Sequence, residues 1–329
     1  MTDKRPDPQN QALPSIAEAI GHTPLVSLDR LVKHFGVKGR ILAKLEYLNP
    51  GASKKDRTAL QMVMDARESG ALKEGQPVIE RTSGNTGTGL AIVCTALGHP
   101  FTAVISKGNS EERVKMMKAL GADIRLVDQA PGSTPGQVTA ADWKLVEQAT
   151  EGIAKELGAF RVDQFNMPAI IDVHMKTTGP EVWRQSEGKI DAYCDFVGAA
   201  GSFAGLGKFL KSKNKDIACY VIEPAGGEVL AGRESQNPGH KIQGGGYSKT
   251  DLAAMKEVAP DGFLAVTSED AIQCARALAK HEGIFAGFSS GANVWGALQL
   301  LKGKHKDQTI LVLMCDSGLK YLSTDLWDG

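Results

Sequence analysis

The strongest constraint in the chain is a rhythm. Short apolar runs alternate with longer segments that carry apolar residues at helical spacing. The runs read as strands at 41–47, 77–82, 101–106, 123–127, 192–197, 218–223 and 309–315. Several are continuous rather than alternating, the pattern of strands buried on both faces. Helical patterns stand between them at 84–97, 110–120, 203–212, 268–281 and 290–302. Parallel strands need a long crossover connection, usually a helix. The alternation therefore predicts an α/β fold with mainly parallel sheets. At 329 residues the chain has room for about two such domains.

Composition removes several function classes. Lys plus Arg equals Asp plus Glu, 38 against 38, so no basic excess points to nucleic acid or to an anionic membrane surface. The five cysteines (Cys94, Cys194, Cys219, Cys274 and Cys315) are scattered without a CxxC pair. That argues against a disulfide framework and against a zinc cage. The seven histidines show no HxxxH or HxH pairing, and no metal site is expected. Residues 1–14 are polar and proline-bearing and read as a disordered tail, without the apolar stretch of a secretory signal. No run of 18 apolar residues occurs, so no membrane span is expected and the expected compartment is the cytoplasm.

Four turns rich in small residues follow strands or open helices. The first is Asn49-Pro50-Gly51-Ala52-Ser53-Lys54-Lys55-Asp56-Arg57. Ser53 is placed to cap the following helix with its hydroxyl, and Gly70 to stop it. Two lysines in a first helical turn sit against the helix dipole. Alone they read either as solvated surface lysines or as a site whose amine is neutral enough to attack a carbonyl. The second turn, Thr82-Ser83-Gly84-Asn85-Thr86-Gly87, exposes backbone N–H groups at a helix start, which suits an anion. The third, Val197-Gly198-Ala199-Ala200-Gly201-Ser202, suits a phosphate for the same reason. A dinucleotide turn is the rival there, with Glu223 closing the next strand, but GxGxxG would need glycines where Ala200 and Phe203 stand. The fourth, Gly287-Phe288-Ser289-Ser290-Gly291, alone is only a helix start.

Taken in order, these segments resemble the cysteine synthase and cystathionine β-synthase family of pyridoxal-phosphate enzymes. The resemblance runs from about residue 18 to 325. It includes Gly21-His22-Thr23-Pro24, Lys176-Thr177-Thr178-Gly179-Pro180-Glu181 and His240-Lys241-Ile242-Gln243-Gly244 as well as the four turns. It implies the tryptophan-synthase-β-like architecture (fold type II): two three-layer α/β domains with the cofactor, pyridoxal 5'-phosphate, between them. The implied N-terminal domain spans 46–160, with a mobile substrate-gripping subdomain at about 105–150. The C-terminal, phosphate-binding domain takes 15–45 plus 161–329. A homodimer is implied too.

The family's roles carry over by position. Lys55 matches the Schiff-base lysine and catalytic base, and Asn85 the residue that bonds the cofactor's phenolic oxygen. Thr82, Ser83, Asn85 and Thr86 match the grip on the substrate carboxylate, assisted by Gln164. Gly198, Ala199, Ala200, Gly201 and Ser202 match the phosphate loop, and Ser289 the hydroxyl facing the pyridine nitrogen. The phosphate loop of the family usually reads G-T-G-G-T, so Ala199 loses one hydroxyl donor and Ser202 keeps one. Segments 107–113, 245–248 and 315–318 also depart from the family pattern, and these lie around the substrate. The implied activity is β-replacement on an activated, O-acetylserine-like serine by sulfide, giving L-cysteine through an aminoacrylate. The alternatives are cysteine desulfhydration to pyruvate, ammonia and sulfide, and serine or threonine dehydration. The partners implied are a small amino acid and sulfide or a related nucleophile.

Overall fold

The computed structural model describes residues 12–82, 84–109, 111–133, 138–165, 167–236 and 239–328. The tail expected at 1–14 lies outside them up to residue 11. The chain divides into two compact units. The N-terminal unit takes 12–20 and 49–169, and the C-terminal unit takes 21–48 and 170–328. Residues 12–20 thus group with the N-terminal unit, where the resemblance implied that 15–45 belongs to the C-terminal domain. The reason is local: the turn Ile16–Ala19 packs on the helix Asn85–Leu97.

In chain order the strands are β1 (Leu25–Ser27), β2 (Arg40–Lys44), β3 (Val78–Arg81), β4 (Phe101–Ser106), β5 (Asp123–Val127), β6 (Phe160–Arg161), β7 (Ala192–Phe196), β8 (Ala218–Pro224), β9 (Gly262–Val266) and β10 (Thr309–Leu313). The helices are α1 (Asp29–His34), α2 (Lys55–Glu68), α3 (Asn85–Leu97), α4 (Glu111–Ala119), α5 (Ala140–Leu157), α6 (Ala169–Val173), α7 (Gly179–Gln185), α8 (Gly201–Lys213), α9 (Ser268–Glu282) and α10 (Phe288–Lys302). The N-terminal unit holds a parallel sheet of order β5-β4-β3-β6. The C-terminal unit holds β1-β2-β10-β7-β8-β9, parallel except for the β1–β2 pair.

The C-terminal sheet explains why its strands read as unbroken apolar runs. Successive side chains point to opposite faces. Cys194, Phe196, Tyr220, Ile222, Ile310 and Val312 join one core with Ala275, Leu278, Ala297 and Leu301 of α9 and α10. On the opposite parity, the Tyr193 ring stacks on Phe203 of α8 with centroids 6.1 Å apart. Gly207 of the same helix is close enough that a Cβ would reach Cys219 Sγ at 3.4 Å. Helices therefore cover both faces, and neither parity can be polar without a partner. In the N-terminal unit Ile79, Val104 and Val146 form a smaller core beneath α5, while α3 also packs on β3 and β4.

A buried ionic knot fixes the segment that opens the C-terminal unit. Lys44, at the end of β2, has no exposed surface. Its Nζ lies 2.7 Å from Glu181 Oε2 on α7 and donates to Gln185 Oε1 at 2.9 Å and to Thr23 O. Glu181 Oε1 accepts from His22 N at 3.0 Å, and Thr23 Oγ1 donates to Glu46 Oε1 at 2.7 Å. The motifs Gly21-His22-Thr23-Pro24 and Gly179-Pro180-Glu181 are two sides of this knot.

Three strands, the short helices α1, α6 and α7, and the long helix α5 were not evident from the sequence. β1 and β6 are three and two residues long, too short for a periodic signal. β9 begins with Gly262 and exposes Phe263, so it lacks a buried run. α5 follows a proline- and glycine-rich loop, and its start is marked by a capping box in which Thr139 and Asp142 bond each other's backbone N–H. All five cysteines are buried and free of disulfides. Burial pushes the thiols of Cys94, Cys219 and Cys274 up to about 12, and that of Cys194 well above its ordinary value. No helix among the described residues is long and apolar enough to cross a membrane.

Candidate functional site

In the N-terminal unit, residues 49–54 form a tight turn into α2. Ala52 takes a left-handed φ of 57°, and its N–H donates to Asn49 O at 2.8 Å. The Asp56 carboxylate, in the first turn of α2, folds back to accept from Gly51 N. A Cβ on Gly51 would lie 2.5 Å from Asp56 Oδ1, so the turn needs its glycine. Ser53 does not cap the helix as its hydroxyl suggested. α2 starts at Lys55, its N-cap residue is Lys54, and no side chain caps it. Ser53 Oγ instead accepts from Lys55 N at 3.3 Å, two residues on, which is a serine turn rather than a cap. Lys55 therefore occupies the first position of the helix, where the dipole disfavours an ammonium.

α3 lies directly beside this turn. A Cβ on Gly89 would meet Asp56 Cα at 3.1 Å and Lys55 O at 3.2 Å. The small residue lets the second turn of α3 touch the first turn of α2. The residues ahead of α3 form a compact loop. Thr82 Oγ1 accepts from Gly84 N at 3.0 Å and from Gly87 N at 2.9 Å. Gly84 sits at φ 138°, a conformation that favours glycine. Thr86 Oγ1 donates to Gln164 Oε1 at 2.6 Å. Asn85 opens α3 and is half-buried. Lys55, Thr82, Asn85, Thr86 and Gln164 are thus carried by one unit, on α2, on the loop into α3, and just after β6. Ser83 lies outside the described residues.

In the C-terminal unit, the loop after β7 turns into α8. Ala200 takes a left-handed φ of 61° and is the N-cap residue of α8, with no side-chain cap bond. The first N–H groups of a helix have no intrahelical acceptor and point at whatever lies beyond its end. Close packing shapes the loop from both sides. A Cβ on Gly198 would lie 2.5 Å from Gly244 O, and one on Gly201 would lie 2.6 Å from Ile170 O. Ala199 and Ala200 are buried. Ser289 is the second residue of α10 and is also nearly buried. Among the described residues no cluster of three or more His, Cys, Asp or Glu is placed to hold a metal ion.

Residues 16–316 match the family described as pyridoxal-phosphate dependent enzyme. The chain belongs to that family.

Within the pyridoxal-phosphate dependent enzymes it sits among the cysteine synthases. It is 40% identical over 315 residues to cysteine synthase of Staphylococcus aureus, covering 95% of this chain and 96% of that one. Among solved structures, O-acetylserine sulfhydrylase isoform 3 of Entamoeba histolytica superposes with a TM-score of 0.88 at 34% identity, over 98% of this chain and 94% of that one. A hydrogen sulfide-producing enzyme of Fusobacterium nucleatum superposes with a TM-score of 0.84 at 33% identity, over 94% of this chain and the whole of that one. The fold is the tryptophan-synthase-β-like one, the protein is an enzyme, and its cofactor is pyridoxal phosphate.

The residues present fit that cofactor. Gly198 and Gly201 let the loop lie against Gly244 O and Ile170 O, where a Cβ would clash, and the loop runs into the start of α8, whose main-chain N–H groups and dipole suit a phosphate ester. One donor assignment changes. Ser202 Oγ donates to Asp195 Oδ2 at 2.5 Å, so its proton is directed into the protein rather than outward. Asp195 and Asn293 are the polar residues that periodicity overlooked. Each is fully buried, Asp195 as the one charged residue of β7 and Asn293 on the largely buried α10. The signal for Asp195 was in the sequence: one acid inside an apolar strand must have a partner.

Proposed function

We propose that this enzyme makes L-cysteine by β-replacement, with an O-acetylserine-like donor and sulfide as substrates. The balance is donor plus hydrogen sulfide giving L-cysteine plus the carboxylic acid released from the β-oxygen. When bound, the cofactor supplies an electron sink for the bond broken at Cα. The Lys55 amine would hold the cofactor and, once free, would take the Cα proton at Nζ. Its place at the positive end of α2, beside Lys54, supports a neutral amine for that step. Thr82, Ser83, Asn85 and Thr86 hold the substrate carboxylate through hydroxyls, an amide and the backbone N–H groups of the loop, and Gln164 sets the Thr86 hydroxyl. Asn85 also bonds the cofactor's phenolic oxygen. Gly198, Ala199, Ala200, Gly201 and Ser202 hold its phosphate. Ser289 offers the pyridine nitrogen a neutral hydroxyl. A carboxylate there would keep the nitrogen protonated and the ring more strongly electron-withdrawing, so the neutral hydroxyl favours reactions in which a β-leaving group carries the electrons away.

The observation that carries this reading is the contact of the Lys55 turn with α3 through Gly89. It sets a base and a carboxylate grip on adjoining turns of one unit. The similarity to a hydrogen sulfide-producing enzyme favours one second reading, cysteine desulfhydration to pyruvate, ammonia and sulfide. The holoenzyme with O-acetylserine and sulfide should release L-cysteine and acetate. Faster release of pyruvate and sulfide from cysteine alone would replace the synthase reading with the second one. Lys55→Ala should lose the visible absorbance of the bound cofactor and all turnover, while Lys54→Ala should keep the band. We place the enzyme in the cytoplasm as a homodimer, for which sedimentation at twice the 35.0 kDa chain mass is the check.

A further inference from the structure

The buried carboxylate of Asp195 sits behind the phosphate loop and has no part in the reaction as derived. It is the fourth residue of β7 and has no exposed surface. Three donors converge on it. Ser202 Oγ donates to Oδ2 at 2.5 Å, Tyr193 OH donates to Oδ2 at 3.1 Å, and Asn293 Nδ2 donates to Oδ1 at 3.1 Å. Asn293 is itself held on both sides. Its Nδ2 also donates to Leu313 O at 2.9 Å, and its Oδ1 accepts from Phe196 N at 2.6 Å. Tyr193 stays a donor, because burial first and the Asp195 charge second push its phenol well above the ordinary value.

The two ends of this network are not equivalent. Ser202 lies in the first turn of α8, inside the loop assigned to the phosphate. Asn293 lies on α10 four residues after Ser289, on the same side of the helix and one turn below it. One carboxylate therefore grips the start of α8 with one oxygen and the Ser289-bearing turn of α10 with the other. Both elements belong to the C-terminal unit.

We propose that Asp195 is a positioning residue of the cofactor site, setting the phosphate loop and the pyridine-facing Ser289 at a fixed spacing. This rests on the roles given above to Ser202 and Ser289. It follows that Ser202 turns its oxygen lone pairs, not its proton, away from Asp195, and that phosphate affinity comes from main-chain N–H groups and the helix end. A carboxylate is suited to the task because it accepts on both oxygens. An asparagine in its place has one acceptor oxygen, so it must abandon either the Ser202 and Tyr193 side or the Asn293 side.

The test reads the cofactor before any substrate is added, so it stands whichever β-substitution reaction the enzyme proves to catalyse. Apoprotein is titrated with pyridoxal phosphate, and the bound form is examined by phosphorus NMR and by its visible band. Asp195→Ala should weaken cofactor binding at least tenfold and move both signals. Asp195→Asn, which keeps the volume and guards against a variant that does not fold, should move at least one of them. Ser202→Ala cuts the loop end of the same link and should move the phosphorus signal in the direction seen for Asp195→Ala; an unmoved phosphorus signal there would overturn the assignment. Glu282→Gln serves as the control, since it weakens the carboxylate that accepts from Leu31 N in the same unit and should leave both signals in place. Folded Asp195→Ala and Asp195→Asn proteins with wild-type affinity, phosphorus shift and visible band would refute the proposal.

Discussion

The Lys44–Glu181 pair gives the sharpest stability test. Both side chains are buried, at 0% and 3% exposure, and their charges lie 2.7 Å apart. Lys44→Met keeps the length of the stem and removes the charge. It leaves the Glu181 carboxylate buried without the Lys44 ammonium, while His22 N still donates to it. Breaking a buried pair in this way costs about 3–5 kcal/mol, because the surviving charge is stranded in low dielectric. For a unit of this size each kcal/mol lowers Tm by roughly 2–4 °C, so the fall should be roughly 6–20 °C. Glu181→Leu should cost a similar amount, by leaving the buried Lys44 ammonium without its carboxylate. The double variant removes both charges and should not double the loss. It still strands the His22 N–H and the Gln185 amide, each worth about 1–3 kcal/mol when unsatisfied. A double-mutant cycle by thermal and urea denaturation should therefore show a coupling energy of roughly 2 kcal/mol or more. Single variants losing under about 1 kcal/mol, or losses that simply add, would refute the reasoning and make the pair a spectator.

Gly198→Val should fold but lose the cofactor's visible band, because its Cβ would stand 2.5 Å from Gly244 O and force the loop open; retention of the band would show that the loop can move aside. Glu80, fully buried in β3, has its carboxyl raised well above 4.5, chiefly by burial, against the lowering charges of Arg161 and Arg81. A raised acid stabilises the fold fully below its unfolded value, and this contribution is lost as pH rises through the folded value. Glu80→Gln should accordingly gain Tm relative to wild type as pH climbs from 4.5, and a pH-independent difference between the two melts would count against it. Thr139→Ala removes the hydroxyl that accepts from Asp142 N at the start of α5 and should cost about 1 kcal/mol in urea denaturation.

Much of the fold was legible because burial wrote it twice, in strand and in helix. β4 and β5 fall on the segments read from their apolar runs, and β7, β8 and β10 within one or two residues of them. β4, β7, β8 and β10 have neighbours on both sides, so no polar face interrupts their pattern, whereas β5 is an edge strand with exposed residues. β6 and β9 lacked that signal, having two residues in one case and an exposed phenylalanine in the other. At the site, the small-residue turns were visible as composition. The direction of their hydroxyls was not. Ser53 serves a turn instead of a cap, and Ser202 bonds Asp195 rather than facing outward. A hydroxyl's partner is chosen by whichever acceptor the fold brings near, and Asp195 is seven residues away along the chain. Asn293, at 98 residues from Asp195, lies beyond any local pattern.

The buried cysteines bear on chemical selectivity. An enzyme that handles sulfide and releases a thiol amino acid works amid nucleophilic and oxidisable sulfur. Its own thiols could compete for the same electrophile or form mixed disulfides with the product. Reaction of either kind requires the thiolate. With values pushed up to about 12, Cys94, Cys219 and Cys274 are ionised to roughly one part in a hundred thousand at pH 7. Cys194 is pushed the same way, and none of the four presents a surface for attack. The fold thus separates two pools of sulfur: one that passes through the site, and one sealed in the core as packing. A thiol reagent at neutral pH should find the native protein nearly silent and count five reactive groups only after it unfolds.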